Sequence, residues 1–191
     1  IARPSTGQAG STMPERKNNE TWVGGVALST AVIAVFAAVT TLYVGKFSSR
    51  AVLFKAEESN QWAYFQAKSI KGHTYEIQKD RLELEILASG GRFPREAARK
   101  YEETLVEYRG NVQRYDKEKA EIKEKAEALG RLGRTAQERA GDFGYGLIFL
   151  QISIMLSSVA ALTRKRMLWY LGLASVLGGV FFFLDGIFLF Y

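Results

Sequence analysis

The chain of 191 residues contains no cysteine and a single histidine. Without cysteine there are no disulfides, thiolate metal sites or cysteine nucleophiles. The one histidine, His73, lies outside the three long apolar runs of the sequence. None of those runs can therefore offer an imidazole to haem, chlorophyll or a metal ion. We expect His73 to be an ordinary surface residue.

The sequence also lacks the common catalytic motifs: no P-loop, GxSxG or HExxH segment occurs in it. Its helix acids Glu102, Glu103, Glu107 and Glu121 are interleaved with lysine and arginine, which is typical of a solvated helical face. No nucleophile and base are visible as a pair, nor is a group of metal ligands. We therefore predict a chain that is not an enzyme, with no catalytic, cofactor-binding or metal-binding residues and no cofactor.

The net charge of +6 is spread thinly along the chain. Residues 46–142 hold 20 Lys and Arg against 17 Asp and Glu, and the two signs alternate. A phosphate-binding surface would instead concentrate positive charge on one face. The pattern predicts a solvated helical region and excludes nucleic acid as the expected partner.

Three long apolar runs divide the chain. They cover residues 21–45, 143–163 and 167–191, and Asp185 is their only charged residue. A helix needs about 20 apolar residues to cross a bilayer, and a signal-peptide core has only roughly 7 to 15. The runs predict three transmembrane helices. Residues 1–20, rich in small, polar and charged residues, are expected to form a flexible N-terminal tail.

Residues 46–142 predict an antiparallel helical hairpin outside the membrane. Its one strong helix breaker is Ser89-Gly90-Gly91-Arg92-Phe93-Pro94, so we place a turn at 89–94. After this turn, residues recur at alternating steps of three and four, which is the pattern of a coiled coil. We call this set the tyrosine seam: Ala98, Tyr101, Leu105, Tyr108, Val112, Tyr115, Lys119, Ile122, Ala126 and Leu129. Further on, Gly130, Gly133 and Gly141 could bend or interrupt the second arm.

The first arm of the hairpin carries its own apolar line, here called the aliphatic seam. It comprises Leu53, Ala56, Ala63, Ala67, Ile70, Ile77 and Leu84. Trp62, Phe65 and Tyr75 fall off this line. Because a two-helix hairpin buries one stripe per arm, these aromatics either pack against further copies or subunits or widen the interface within the chain. The fold class is thus an all-α membrane protein with three transmembrane helices and a long coiled-coil-like hairpin.

The second and third runs are joined only by Arg164, Lys165 and Arg166. Short basic loops favour the cytoplasmic side, so we expect the N-terminus inside and the hairpin and Tyr191 outside. Basic residues at the hairpin end, among them Lys46 and Arg139, argue the other way. The triplet with Trp169 and Tyr170 is interpreted as an interface anchor contacting membrane lipids, and the alternative is a specific anionic-lipid pocket.

Small and polar residues within the apolar runs predict helix contacts. Their spacing favours close packing at Thr30, Ala34, Ala38, Gly172, Ser175 and Gly179, and Gln151 is expected to hydrogen-bond across helices. Asp185 is the only intramembrane acid. It either carries protons or cations or has a structural or interfacial role, and Tyr145 is the partner expected at its level.

Two segments of the chain carry a resemblance to a known family. Residues 60–71, NQWAYFQAKSIK, and residues 149–174, FLQISIMLSSVAALTRKRMLWYLGLA, resemble an uncharacterised bacterial membrane family, domain of unknown function 4337. The resemblance implies this architecture in a bacterial membrane. We expect the inner membrane, and the basic triplet, not the resemblance, predicts a periplasmic hairpin. It transfers no activity, and the tail and the tip at residues 90–94 depart from the family pattern.

The absence of catalytic groups and the abundance of packing surface favour a non-enzymatic scaffold or accessory subunit of a larger membrane assembly. Its partners would be other integral-membrane subunits or copies of itself, and candidate hosts are respiratory, photosynthetic or transport assemblies. The alternative is a homo-oligomeric channel or transporter that uses Asp185 or Gln151. Three spans are too few for a pore in one chain, so that alternative requires oligomerisation.

A reporter fused near Gly91 tests the orientation. We expect a reporter that works only outside the cytoplasm to be active there, because the basic triplet is expected to stay inside. A silent fusion, together with an active cytoplasmic reporter at the same site, would reverse the topology.

Overall fold

The protein is all-α. A computed structural model describes the backbone of residues 13–189 and the side chains of residues 21–189. It contains three helices, α1 (Met13–Ala88), α2 (Arg95–Thr163) and α3 (Arg166–Phe188), and no strand within that stretch. The predicted helical class is confirmed. α1 takes in the last residues of the predicted tail, whereas residues 1–12 and 190–191 lie outside the described residues.

α1 and α2 are separated by a turn built on two glycines. Gly90 and Gly91 have φ angles of 58° and 72°, in the left-handed region where a side chain would be strained. Pro94 stands directly before α2, and its carbonyl accepts a hydrogen bond of 3.0 Å from Ala98 N. Proline suits this position because its fixed φ matches the first helical turn and its missing N–H would be unpaired there.

Gly130, Gly133 and Gly141 do not interrupt α2, contrary to one alternative drawn from the sequence. Instead, two of them allow α1 to approach closely. A Cβ at Gly130 would lie 3.0 Å from a Glu58 carboxylate oxygen, and one at Gly133 would lie 3.5 Å from Phe54 Cβ. The cost of glycine in a helix is offset here by contact between the helices.

By its contacts the chain divides into two units. The charged unit is Ser49–Ala136, and the apolar unit comprises the residues up to Ser48 and from Gln137 onward. In the charged unit, later residues of α1 contact earlier residues of α2. The pairs are Lys68 with Glu118 at 2.6 Å, Glu83 with Arg109 at 2.8 Å and Glu85 with Tyr101 at 3.0 Å.

The tyrosine seam supplies the contact face of α2. Tyr115, Ile122 and Ala126 are buried, and the Tyr75 ring of α1 lies 5.8 Å from Tyr108 and 5.7 Å from Tyr115. On α1, buried and half-buried residues recur every seven positions, as Ala51, Glu58, Phe65, Gly72 and Lys79, and Gly72 packs against Tyr115 of α2. This spacing keeps the contact aligned along the helix.

The aliphatic seam does not form the contact with α2, so its expected role in the interface within the chain is wrong. Leu53, Ile70, Ile77 and Leu84 are 62%, 69%, 61% and 67% exposed. At 100° per residue, the seam lies roughly 150° around α1 from the residues that α2 covers. Phe65 and Tyr75 are half-buried instead, because the tyrosine seam of α2 packs on their face of α1 and not on the aliphatic face.

The apolar unit packs segments of all three helices. Its core is Ile33, Ala37 and Leu150, with Phe36, Leu147, Ile154 and Val176 against it. Aromatic rings extend this core: Phe183 lies 4.9 Å from Phe36, 5.7 Å from Tyr43 and 5.3 Å from Phe143. Each helix contains a segment long and apolar enough to cross a membrane.

A glycine pair tests the contact between α1 and α2. A Cβ at Gly72 would lie 3.1 Å from Tyr115 Cβ, whereas one at Gly110 would meet nothing within 4 Å. We expect Gly72→Leu to destabilise the charged unit by about 1–3 kcal/mol through overpacking. The matched variant Gly110→Leu should be neutral or stabilising by up to about 1 kcal/mol, because it removes a helical glycine into open space.

Limited proteolysis of the full chain in mild detergent measures this difference through cleavage within residues 49–136. Equal protection of the two variants would contradict the close contact at Gly72.

Candidate functional site

The basic triplet forms the break between α2 and α3. Arg164 has a left-handed φ of 56°, Lys165 is extended, and Arg166 begins α3. The Arg166 guanidinium lies 5.8 Å from the centre of the Trp22 ring, a cation–π contact to α1. The triplet therefore joins two helices and brings one of its charges to the third.

The two aromatic residues expected to anchor the interface have different environments. Trp169 Nε1 donates a hydrogen bond of 3.2 Å to Ser29 Oγ on α1, so its polar edge is used inside the chain. Tyr170 is mostly exposed, and its ring lies 5.2 Å from that of Trp169. Tyr170 thus remains available to an interface, while Trp169 also fastens α3 to α1.

α3 packs on α2 through small residues. A Cβ at Gly172 would lie 3.2 Å from both Ser153 O and Ser157 Oγ, and one at Gly179 would lie 2.9 Å from the Leu150 side chain. Ser175 Oγ donates a hydrogen bond of 2.7 Å to Phe149 O. These three predicted packing residues of α3 all lie at close contacts with α2.

Sequence reasoning missed Gly186, which continues this line. A Cβ there would lie 3.0 Å from the Phe143 ring. The signal was present in the sequence, because Gly172, Gly179 and Gly186 are spaced by seven residues. A glycine heptad marks the face of a helix where a neighbour comes closest.

Ala34, Ala38 and Gln151 are not buried by the described part of the chain, so the contacts predicted for them stay a prediction. All three residues are exposed, and the Gln151 amide forms no hydrogen bond within residues 21–189. α1 instead turns Val26, Ile33, Ala37 and Thr40 inward. Ile33 and Phe36 pack against the neighbouring helices, and these larger side chains determine which face of α1 points inward. The buried face lies one residue before the one that Ala34 and Ala38 mark.

Asp185 is 7% exposed and lines a cavity of about 230 Å³ with Glu138, Asp142 and Leu189. Tyr145, its expected partner, is instead exposed, and its ring lies 5.6 Å from that of Phe182. These acids are not spaced as metal ligands: within residues 21–189 no group of three or more His, Cys, Asp or Glu is arranged to hold a metal ion.

Burial raises the pKa of Asp142, and the carboxylates of Asp185 and Glu138 add to this rise. The cause is that desolvation and like charge both disfavour the ionised carboxyl. Asp142 precedes the second apolar run, so the acid-lined cavity lies where that run begins.

The predicted hairpin-interface residues lie in the charged unit at or beside the contact between α1 and α2. Tyr115 is buried, while Trp62, Phe65, Tyr101, Leu105, Tyr108 and Val112 are half-buried. The Lys68 ammonium lies 2.6 Å from a Glu118 carboxylate oxygen, and this contact raises the pKa of Lys68 and lowers that of Glu118. His73 is exposed and contacts Glu76 at 2.8 Å, as befits a surface residue.

Comparison with protein families shows which family the chain belongs to. The family described as Domain of unknown function (DUF4337) matches residues 22–189, almost the whole length. The chain belongs to the DUF4337 family. Its expected resemblance to that family is confirmed. The comparisons with curated proteins and with solved structures gave no match.

The acid-lined cavity generates a prediction on pH. The pKa of Asp142 is raised in the folded chain, so its contribution to stability is full at low pH and is lost as pH rises through the folded pKa. Asp142→Asn cannot ionise, so it avoids this loss of stability. We expect it to raise the melting temperature at neutral pH, and to do so less at a pH below about 4, where an unperturbed aspartate is itself protonated.

Thermal unfolding of the full chain in detergent at the two pH values measures this effect. Glu124→Gln, an exposed carboxyl of the charged unit, is the control and should change neither value. A melting temperature of Asp142→Asn that is unchanged at neutral pH would contradict the raised pKa.

Proposed function

We propose that this DUF4337 protein is a non-enzymatic scaffold or accessory subunit of a larger membrane assembly. In this proposal its three apolar segments span the bilayer and residues 46–142 project from it as an antiparallel hairpin. The basic triplet faces the cytoplasm and the hairpin faces the periplasm of a bacterial inner membrane. The partners are other integral-membrane subunits or copies of the chain.

Exposed apolar surface on the three segments supports membrane insertion. Only 11% to 28% of the most apolar stretch of each helix is buried inside the chain. Side chains such as Leu28, Met155 and Leu177 are instead left on the outside. In water this surface would be costly, and in hydrocarbon it is not.

The aliphatic seam is the observation that carries the scaffold proposal. It lies in the charged unit, beyond the apolar segments that lipid would cover, and its four large aliphatic side chains are more than 60% exposed. A line of exposed large aliphatic side chains on a protein surface supports a site of contact with another protein. A partner that covers the seam gives the projecting hairpin a role.

Native mass determination after extraction in mild detergent tests this function. We expect a species well above the chain's 21.4 kDa, and identification of the co-purifying proteins with their stoichiometry would name the host assembly. The same sample in a denaturing detergent provides the monomer reference. A strictly monomeric native species would contradict the proposal.

The acid-lined cavity favours a second candidate, a homo-oligomeric channel or transporter that uses Asp185. A buried carboxylate in an apolar segment is costly and so is a functional candidate. Gln151 is exposed and could face a path only between copies. Flux of protons or cations through liposomes holding the purified chain, abolished by Asp185→Asn, would establish this function, and the absence of flux would exclude it.

A further inference from the structure

We propose that the aliphatic seam is the contact surface for a second copy of this chain, the two copies pairing in parallel through α1. This inference rests on the proposed scaffold function and names its first partner. The seam belongs to a repeat of seven in which Leu53, Asn60, Ala67, Thr74 and Arg81 alternate with Ala56, Ala63, Ile70, Ile77 and Leu84. All ten residues are exposed.

The period of the seam suits a helical partner. The opposite face of α1 follows the same repeat of seven where α2 covers it. When α1 is wound so that one face repeats every seven residues, a second face with the same period also runs parallel to the helix axis. A further helix can therefore lie along that second face. The partner must therefore carry a matching apolar heptad.

Within the described part of the chain, the matching surface is the seam itself. The exposed residues of α2 in the charged unit are mostly charged, and Val106 and Leu132 are the exposed large aliphatics there. They do not form a line. A second copy of α1 offers the same length, period and apolar character, so the seam is complementary to itself.

The size of the seam is sufficient for a weak but specific dimer. From Leu53 to Leu84 it runs for about 47 Å, and a strip about 10 Å wide gives about 500 Å² per copy. The pair would bury about 1,000 Å² in all, near the lower limit for biological interfaces. Ala56, Ala63 and Ala67 let the two helices approach closely along the first half.

A shared membrane fixes the direction of pairing. Two copies inserted in the same orientation hold equal residues at equal heights, so Leu53 of one copy faces Leu53 of the other. Parallel pairing also places Asn60 against its equivalent. The Asn60 amide makes no hydrogen bond within residues 21–189, and a single asparagine at such a position fixes register and favours two strands.

The remaining polar residues of the seam are compatible with this pair. Thr74 Oγ1 donates to Ile70 O at 2.9 Å, so the threonine presents its methyl group. Arg81 would lie beside Asp80 of the second copy. Asp80 also contacts Lys79 in its own chain at 3.0 Å, yet its side chain remains 59% exposed. At this one charged core position Arg81 faces its equivalent, and an Asp80 carboxylate beside each Arg81 offsets the like charge.

Because the chain has no cysteine, single introduced cysteines report the contact in membranes that hold the full chain. Ala67→Cys and Leu84→Cys should each give a disulfide-linked species of twice the chain mass on oxidation, since equal core positions of a parallel pair lie within disulfide reach. Ala120→Cys, an exposed alanine of α2, is the matched control and should stay monomeric.

Charge substitution is the second arm. In the Leu84→Cys chain we expect Ile70→Glu with Ile77→Glu to lower the dimer fraction at least about tenfold, because like charges would meet in an apolar contact. Both isoleucines are exposed, so the fold of the single chain is not affected. Val106→Glu, at a residue that is 64% exposed on α2, is the matched control and should leave the dimer unchanged.

Each other outcome overturns the inference. A dimer from Ala67→Cys without one from Leu84→Cys means antiparallel pairing, and an adduct with another protein means a different occupant. If neither cysteine variant forms a disulfide-linked dimer while the native mass remains above that of the monomer, this inference is wrong and the proposed function is not affected. A chain that is monomeric on native extraction defeats the proposed function as well.

Discussion

Helix contact at a repeat of seven residues is the constraint on which both units depend. In the charged unit it places Glu58, Phe65 and Gly72 under α2, and in the apolar unit it places Gly172 and Gly179 against it. A straight helix drifts by about 20° per heptad, so long contacts persist only if the helices coil slightly around one another. Such coiling lets two long helices stay in contact along a narrow line of side chains, without a large hydrophobic core.

Charge reinforces this contact at the margin. Lys68 with Glu118 and Arg109 with Glu83 join the two helices, but each of these side chains keeps contact with water. Partly exposed pairs contribute little to stability, because water and salt screen them. The tyrosine seam and the glycines that allow close approach therefore hold the charged unit together, and the ion pairs favour its register.

Features set by backbone chemistry were the most predictable from the sequence. Glycine adopts the left-handed conformation that Gly90 and Gly91 have here without strain, and proline has a fixed φ that suits a helix start. α1 accordingly ends at Ala88, shortly before the two glycines, and α2 begins at Arg95, directly after Pro94. The tyrosine seam also followed from its spacing, because α2 has one apolar line and charged residues elsewhere. Gly172 and Gly179 lie at contacts for a related reason, since glycine is costly in a helix unless a neighbour needs the space.

The phase of α1 could not be predicted in this way, because α1 carries two apolar lines and only one faces α2. The choice is made by the partner: Tyr108 and Tyr115 complete a cluster with Tyr75, which the aliphatic seam cannot do. Likewise, the spacing of Ala34 and Ala38 did not show that Ile33 and Ala37 are the residues buried within the chain. In both cases the identity of the neighbour, which lies far along the chain, decides the face.

The short turn at residues 89–94 has a consequence for how this architecture varies in evolution. Because it joins α1 to α2 without slack, a single insertion in either arm would rotate every later residue by about 100° out of its contact. Only matched insertions of whole heptads in both arms preserve the packing. The length of the charged unit should therefore change among homologous proteins in steps of about 10 Å, the rise of one heptad.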